Sequence, residues 1–427
     1  MQCDLSASYA QGLDRDDPLR SFGQRFYKPP GTIYMDGNSL GLLSRDAERT
    51  LLERLEEWKS LGIGGWLEAD PPWFYLGEQL GRLQAPLMGA EPEELVATSS
   101  TTVNLHALLA GFYRPEGARR RLVGDSLNFP SDAYALQSQV RLHGLDCAQD
   151  LVLVESRDGR TLEEEDIVAA MSEEVAVIVL PSVLYRSGQL LDMGLLTREA
   201  HARGCLIGFD CSHSAGALPH RLDDWGVDFA FWCTYKYLNS GPGGIATLYV
   251  NRRHFDRLPG LAGWWGCDKA RQFDMSLEFT PAASAGSWQV GTISLFSAAP
   301  LLGSLALFAE AGMEHVRQKS LDMTEYLIRL VDQELSDAPY HYRVGSPRDG
   351  RRRGGHVAVE HDDALRVCAA LRARGVVPDF RPPNVVRLAP IALYNTFEEV
   401  WQTVQHLKAV IDLGEVENFS RERGAVS

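Results

Sequence analysis

The segment CTYKYLNSGPGG, Cys233–Gly244, places one lysine between two tyrosines and leads directly into a glycine-rich loop. It follows the apolar run DFAFW, Asp228–Trp232, which is typical of a strand buried in a parallel sheet. Lys236 is therefore expected at the carboxyl end of a core strand. Because open α/β sheets bind ligands at that end of their strands, the segment predicts both a fold class and the location of a site.

The sequence on both sides of this segment alternates apolar, strand-like runs with helical ones. The predicted strands are Arg121–Gly124, Leu151–Val154, Val175–Leu180, Leu206–Asp210, Asp228–Trp232 and Ile245–Val250. The helical segments between them include Thr161–Met171 and Met193–Arg203. This alternation predicts a doubly wound, mostly parallel α/β domain.

The two ends of the chain have a different pattern. Near the N-terminus an amphipathic helix is predicted at Asp46–Ser60, with Leu51, Leu52, Leu55 and Trp58 on its apolar face. Beyond residue 300 the predicted elements are a long helix Leu301–Asp332, strands His356–Glu360 and Val385–Leu388, a helix Asp363–Arg374, and a last helix from the capping box at Thr396. We therefore expect an N-terminal segment (1–60), a large α/β domain (61–300) and a smaller α+β domain (301–427).

Composition limits the classes of partner and the compartment. The 427 residues carry 57 acidic and 42 basic side chains, a net charge of −15, which disfavours nucleic acid or an anionic membrane as the main partner. Seven cysteines without framework spacing, and an N-terminus without an apolar signal region, favour a reducing, cytoplasmic location. The uncharged stretch Phe279–Ala309 contains polar residues and prolines, so it predicts a buried segment at a cavity or interface rather than a membrane span.

Lys236 alone fits a phosphate ligand, a Schiff-base lysine or a lysine that caps a helix. The motif GFDCSHSAG adds Asp210 at the end of another predicted strand, with His213 three residues later. A buried acid needs a cationic or protonated partner, and pyridoxal phosphate (PLP) satisfies both Asp210, at the pyridine nitrogen, and Lys236, at the aldehyde. The alternatives are that Asp210 caps a helix and that His213 is an ordinary core histidine.

A phosphate group also needs hydrogen-bond donors at the start of a helix. The segment Ser99–His106, SSTTVNLH, follows the apolar run Leu95–Ala97 and offers hydroxyls and free N–H groups at a predicted helix start. Serine and threonine are also common helix caps without any ligand, so this feature alone is a weak indication.

Several longer motifs occur together and in a fixed order. They are YMDGNSLG (34–41), TTVNLH (101–106), NFPSDAYA (128–135), FDCSHSAGA (209–217), CTYKYLNSGPGG (233–244), GWWG (263–266) and RLAPIALYNTF (387–397). In this combination the chain resembles kynureninase, a family of fold-type-I PLP enzymes, over residues 18 to 412. The resemblance implies an α/β fold with a large, mostly parallel sheet of the seven-stranded type, and a homodimer whose active sites lie at the subunit interface.

The resemblance also implies roles for individual residues. Lys236 forms the Schiff base with PLP, Asp210 and His213 hold the cofactor ring, and Tyr235 bonds the phosphate and relays protons. Thr101 and Thr102 bind the phosphate, while Phe129, Pro130, Ser131 and Asp132 pack on and bond the cofactor. Trp264 and Thr292 reach the phosphate from the partner subunit. Arg387 binds the α-carboxylate of the amino-acid substrate, and Ser39, Trp66 and Cys267 lie near its aromatic ring.

The implied activity is hydrolysis of the Cβ–Cγ bond of L-kynurenine or 3-hydroxy-L-kynurenine, which gives the corresponding anthranilate and L-alanine. Two positions depart from the family pattern: Cys267 stands where relatives have histidine, and Leu184 where many bacterial relatives have asparagine. Both are less polar, so a ring-substituted kynurenine from a specialised biosynthetic pathway is an alternative substrate.

Two further alternatives keep the fold and change the function. In a cysteine desulfurase Cys267 would be the nucleophile, but the loop pattern of that family is absent. A binding protein without catalysis would have lost Lys236, Asp210 or Arg387, all of which are present. No metal is predicted, because the spacing of Cys205, Cys211 and His213 matches no common zinc motif.

Overall fold

A computed structural model describes residues 5–422, so residues 1–4, which include Cys3, and residues 423–427 lie outside the described part of the chain. The strands, in chain order, are β1 Ile33–Tyr34, β2 Leu95–Ala97, β3 Arg121–Asp125, β4 Leu151–Val154, β5 Val175–Pro181, β6 Leu206–Asp210, β7 Phe229–Cys233, β8 Ala246–Val250, β9 Arg343–Val344, β10 Val357–Glu360, β11 Val376–Val377, β12 Asp379–Arg381 and β13 Val385–Leu388.

The helices surround these strands. They are α1 Ala7–Asp16, α2 Arg45–Leu61, α3 Gly65–Glu68, α4 Leu76–Met88, α5 Thr101–Phe112, α6 Pro130–Leu142, α7 Cys147–Asp150, α8 Glu164–Ala170, α9 Met193–Ala202, α10 Leu222–Trp225, α11 Leu295–Ala311, α12 Met313–Glu334, α13 Ala364–Ala373 and α14 Phe397–Asp412. The predicted capping box at Thr396 is confirmed, since its hydroxyl and the Glu399 carboxylate each accept a backbone N–H at the start of α14.

The main sheet within residues 5–422 has seven strands in the order β2-β8-β7-β6-β5-β3-β4. Pairing from β4 to β7 is parallel throughout, whereas β8 runs antiparallel to both of its neighbours. Strands β5, β7 and β8 are buried along their whole length, as expected for strands covered by helices on both faces. The predicted α/β fold with a mostly parallel large sheet is confirmed.

A four-stranded antiparallel sheet, β12-β13-β10-β9, follows in the C-terminal part. The N-terminal segment returns to this part of the molecule, because β1 pairs in parallel with β11 and α1 packs against α14. The division of the chain at residues 60 and 300 stays a prediction.

The single long helix predicted at Leu301–Asp332 is wrong. The chain instead forms α11 and α12, which meet at 82° across Gly312. Gly312 has a φ of 75°, a conformation that glycine adopts without steric cost and that ends α11. Among the described residues no single helix is long and apolar enough to cross a membrane. Helices α11 and α12 reach that length and composition only when the bent pair is taken together. Ten residues of α11 are buried in the fold.

The apolar face predicted for the helix at residues 46–60 is also wrong. Leu52 and Trp58 are 52% and 56% exposed, and α2 buries Ala47 and Thr50 instead. Those two residues face α11, where a Cβ added to Gly303 would lie 2.1 Å from the Asp46 carbonyl oxygen. Small side chains are buried because the two helix backbones approach closely, and this leaves the large apolar residues of α2 at the surface.

Candidate functional site

A cavity of about 200 Å³ opens at the carboxyl ends of the central strands. It lies between the residues that follow β6 and β7 and the first turns of α5 and α6. Its lining consists of Thr101, Thr102, Asn128, Phe129, Ser131, Asp132, Pro181, Val183, Tyr185, Asp210, Ser212, His213, Tyr235 and Lys236. The two strand ends predicted to carry chemistry therefore meet at one site, as the parallel topology requires.

Lys236 enters the cavity three residues after β7 ends. Its Nζ lies 2.9 Å from His213 Nε2 and 5.8 Å from the centre of the Phe129 ring. Burial and the charge of Lys236 keep the pKa of His213 well below its usual value, so His213 is a neutral acceptor for the lysine N–H. That arrangement leaves the proton of the imidazole on Nδ1, which is buried and has no partner among the described residues.

Two buried carboxyl groups stand close together on the other side of the cavity. Asp210 accepts a hydrogen bond from the Ser212 N–H at 2.8 Å, and Asp132 lies beside it. Burial raises the pKa of both groups, and the charge of Asp210 raises that of Asp132 further. Asp132 Oδ2 has no hydrogen-bond partner among residues 5–422. Such a pair needs a cation or a shared proton, because two desolvated carboxylates repel each other.

Two helix N-termini reach the same cavity. Helix α5 begins at Thr101, and its cap, Ser100, makes no side-chain capping bond. Helix α6 begins at Pro130 and places Ser131 Oγ 3.5 Å from Thr102 Oγ1. Free N–H groups, hydroxyls and the positive ends of two helix dipoles form a site suited to an anion such as phosphate.

The cavity wall is aromatic on one side. Phe129, at the cap of α6, packs edge-on against Tyr185, with ring centres 5.4 Å apart. Tyr235 lines the cavity next to Lys236, and its carbonyl oxygen accepts the Gly41 N–H at 2.8 Å. That bond ties the N-terminal motif containing Gly41 to the loop that carries the lysine.

Arg387 lies next to the cavity rather than in its lining. Only 1% exposed, it donates from Nη1 to the Tyr185 carbonyl at 2.6 Å and from Nη2 to Ser39 Oγ at 2.8 Å. It also pairs with Asp379, while its Nε is buried without a partner in the described chain. A bound carboxylate oxygen would satisfy that free donor.

Comparison with known proteins matches this geometry to one family. A family model described as the kynureninase C-terminal domain matches residues 316–407. A kynureninase of Geobacillus thermodenitrificans is 58% identical over 98% of this chain and 97% of its own. One of Bacillus thuringiensis subsp. konkukian is 56% identical with the same coverage.

The chain belongs to the kynureninase family.

Solved structures at lower identity share the fold of this kynureninase-family chain. The cysteine desulfurase of Thermococcus onnurineus NA1 aligns with a TM-score of 0.76 at 18% identity, over 94% of this chain and 98% of its own. The cystine C–S lyase C-DES, in complex with its product cysteine persulfide, aligns with a TM-score of 0.76 over 88% and 97%. The fold-type-I architecture predicted from the sequence is confirmed.

Besides Arg387, Ser39 and Pro130, four more of the predicted kynureninase site residues lie outside the cavity lining. Trp66 packs on Trp265, with ring centres 5.4 Å apart, and Cys267 pairs through its backbone with Pro281. Trp264 and Thr292 are exposed on the surface of this single chain. Their predicted roles involve the partner subunit or the substrate ring, and those roles stay predictions.

Other residues near the kynureninase cavity were not singled out from the sequence. Asn128 and Ser212 line it, and His356 packs on His213 with ring centres 5.7 Å apart. Asp379 and Arg381 surround Arg387 and Ser39. Asn128 and Ser212 adjoin predicted site residues and could have been found from the motifs. Asp379 and Arg381 belong to β12 and His356 immediately precedes β10, and none of the three carries a comparable local pattern.

Proposed function

We propose that this chain hydrolyses the Cβ–Cγ bond of L-kynurenine or 3-hydroxy-L-kynurenine to an anthranilate and L-alanine, with PLP as its cofactor. The observation that carries the proposal is the 58% identity to a kynureninase over 98% of the chain. The cavity around Lys236 supports it, because it offers an amine, a buried acid pair and an anion site within one enclosure.

The residues present fit PLP on four counts. The charge of Lys236 offsets only part of the effect of burial on the Asp132–Asp210 pair, and a protonated pyridine nitrogen would supply a second cation at Asp210. The N-termini of α5 and α6, with Thr101, Thr102 and Ser131, would hold the phosphate. The amide nitrogen of Asn128 is buried and has no partner in the described chain, so it is free to bond the cofactor. Phe129 would pack on the cofactor ring.

Lys236 would hold PLP through its side-chain amine, and the bound cofactor would supply an electron sink for reactions at the substrate Cα. Lys236 Nζ is then the group that removes and returns the Cα proton. His213 Nε2, 2.9 Å away, fixes the position of that amine without taking a charge, because its pKa is low. Tyr235 is the candidate for proton transfer at the side-chain ketone and the atoms it releases.

Arg387 would bind the substrate α-carboxylate through its free Nε, with Ser39 holding the other edge of the guanidinium. Trp66 and Cys267 would lie toward the aromatic ring. The replacement of polar groups by Cys267 and Leu184 keeps a ring-substituted kynurenine as the alternative substrate.

We also propose a homodimer in which Trp264 and Thr292 of one subunit complete the phosphate site of the other. The exposed apolar side chains of this chain support such an interface. They include Trp58 and Phe296, whose rings pack together 5.6 Å apart, and Leu277, which is fully exposed. A cytoplasmic location is proposed on the cysteine pattern, and the six cysteines among the described residues are free.

The test is a steady-state assay of the PLP-loaded protein on L-kynurenine and 3-hydroxy-L-kynurenine, following the fluorescence of the anthranilate product. Efficient turnover of either supports the proposal and ranks the ring preference. Lys236→Ala should abolish turnover and the absorbance of the lysine-bound cofactor, while Lys408→Ala, on α14, serves as a matched control. Turnover that survives in Lys236→Ala would exclude the role given to this lysine.

A further inference from the structure

Beside the cavity lies a buried cluster of two guanidinium and two carboxyl groups. Asp379, with no exposed surface, pairs with Arg387 and also with Arg381, whose Nε lies 2.8 Å from the same Asp379 oxygen. Both arginines also reach Ser39 Oγ, at 2.8 Å from Arg387 and 3.5 Å from Arg381. Asp379 is therefore a counter-ion shared by two guanidinium groups.

Asp36 is the second acid of this cluster. It follows β1, and its backbone bridges to Ala389, next to the end of β13. It is 5% exposed and forms no ion pair within residues 5–422, and its Oδ1 has no hydrogen-bond partner there. The charged groups that act on Asp36 are Asp379 and Arg381 of β12 and Arg387 of β13. The charge of Asp36 in turn acts on four titratable groups: Tyr34 of β1, Tyr237 after β7, Tyr394 after β13 and Cys368 of α13.

The charges in the cluster balance while Asp36 is ionised. Two guanidinium groups then face two carboxylates, and a ligand carboxylate at Arg387 would add a third negative charge in a region shielded from water. An uncompensated buried charge costs several kcal/mol, so one of the acids is expected to take up a proton. Asp379 contacts both guanidinium groups, whereas Asp36 forms no ion pair among the described residues. Burial and the charge of Asp379 already raise the pKa of Asp36 to about 6.

We propose that Asp36 is a positioning residue that takes up one proton when the α-carboxylate of an amino-acid ligand binds at Arg387, and releases it when that carboxylate leaves. The inference rests on the proposed function for the role of Arg387. Between pH 6 and the higher pKa that Asp36 acquires in the complex, affinity for the carboxylate should fall about tenfold per pH unit. Protonated Asp36 then keeps both guanidinium groups available to the ligand and to Asp379.

The test uses the PLP-loaded enzyme and 4-phenyl-4-oxobutanoate, an aryl keto acid that has the carboxylate but no amine to react at Lys236. Calorimetric titration at pH 7.5 in two buffers of different ionisation enthalpy measures the protons taken up on binding. We expect close to one proton for the wild type and none for Asp36→Asn. Asp322→Asn, an acid of α12 whose pKa burial also raises, should behave as the wild type.

The wild-type titration decides the proposal even if Asp36→Asn fails to fold. Binding without proton uptake overturns it and leaves the role of Arg387 intact. Uptake that persists in Asp36→Asn overturns the assignment to Asp36. Absence of binding also overturns it, because the carboxylate site itself is then missing. The proposed function is decided separately, by release of an anthranilate from L-kynurenine.

Discussion

Two buried aspartates at opposite ends of two neighbouring strands of the main sheet have opposite surroundings. Asp228 immediately precedes β7, and Asp210 ends the neighbouring strand β6. The Asp228 carboxylate accepts four hydrogen bonds, from Ile207 N at 2.8 Å, His201 Nε2 at 2.9 Å, His254 Nε2 at 2.7 Å and Arg253 Nη2 at 2.6 Å. These donors hold the pKa of Asp228 far below its usual value, against the effect of burial.

Asp210 has one backbone donor and a second acid, Asp132, beside it. Burial raises the pKa of Asp210, and the charge of Lys236 offsets only part of that rise. Structural and functional buried charges can therefore be separated by the hydrogen-bond donors that surround them. The acid whose oxygens are saturated by the protein stabilises the fold, whereas the acid left short of donors is arranged for a group that the protein must bind.

Replacing Asp210 by asparagine should have the largest effect on catalysis. Asparagine cannot hold a proton on the pyridine nitrogen, so kcat/KM for kynurenine should fall by about 10²–10⁴-fold. The melting temperature should change little. Steady-state kinetics and thermal unfolding of the same preparation check both parts, with Asp228→Asn as the matched control. Equal losses of stability in the two variants would contradict the comparison.

The Asp228→Asn variant should show the reverse pattern. Removing the charge leaves Arg253 and two histidines around a neutral group, at a cost of about 3–5 kcal/mol in the free energy of unfolding. Activity per folded molecule should stay at the wild-type level, because Asp228 precedes β7 whereas the site lies beyond the carboxyl ends of β6 and β7. Denaturant unfolding together with titration of active sites measures the two quantities, and a loss of kcat in fully folded protein would refute the assignment.

The two acids should respond to pH with opposite sign. The lowered pKa of Asp228 gives stability that is present above its unfolded value of 3.8 and is lost as pH falls below it. The raised pKa of Asp210 makes the ionised form costly, so in the protein without cofactor stability falls as pH rises above 3.8. Asp210→Asn without PLP should therefore melt about 1–3 °C above the wild type at pH 8. At pH 4 the difference should be close to zero; a lower melting temperature at pH 8 would contradict this sign.

The smallest effect is expected from His201→Ala. His201 is partly exposed and supplies one of the four donors to Asp228, so its loss should cost about 1 kcal/mol. Denaturant unfolding at pH 7 measures this cost. In the Asp228→Asn background the same substitution should cost less, since the charge it serves is gone. A fully additive double variant would show that His201 and Asp228 are not coupled.

The sequence predicted those parts of the site that depend on local pattern. Lys236 and Asp210 each follow an apolar run of strand length, and strand ends in a parallel sheet meet at one edge, so their proximity could be inferred. The anion site at Thr101 and Thr102 was likewise inferred from a helix start. These features need only the period of the pattern and the topology of the sheet.

The fold class, the family and most of the polar residues that face the cavity therefore follow from the sequence alone. Tertiary structure decided which face of α2 is buried, because close contact at Gly303 selects small side chains over leucine and tryptophan. It also decided where Arg387 is held: Ser39 lies 348 residues away in the chain, Asp36 follows β1, and Asp379 begins β12. Charge pairing between such distant segments depends on three-dimensional packing and leaves no periodic signal in the sequence.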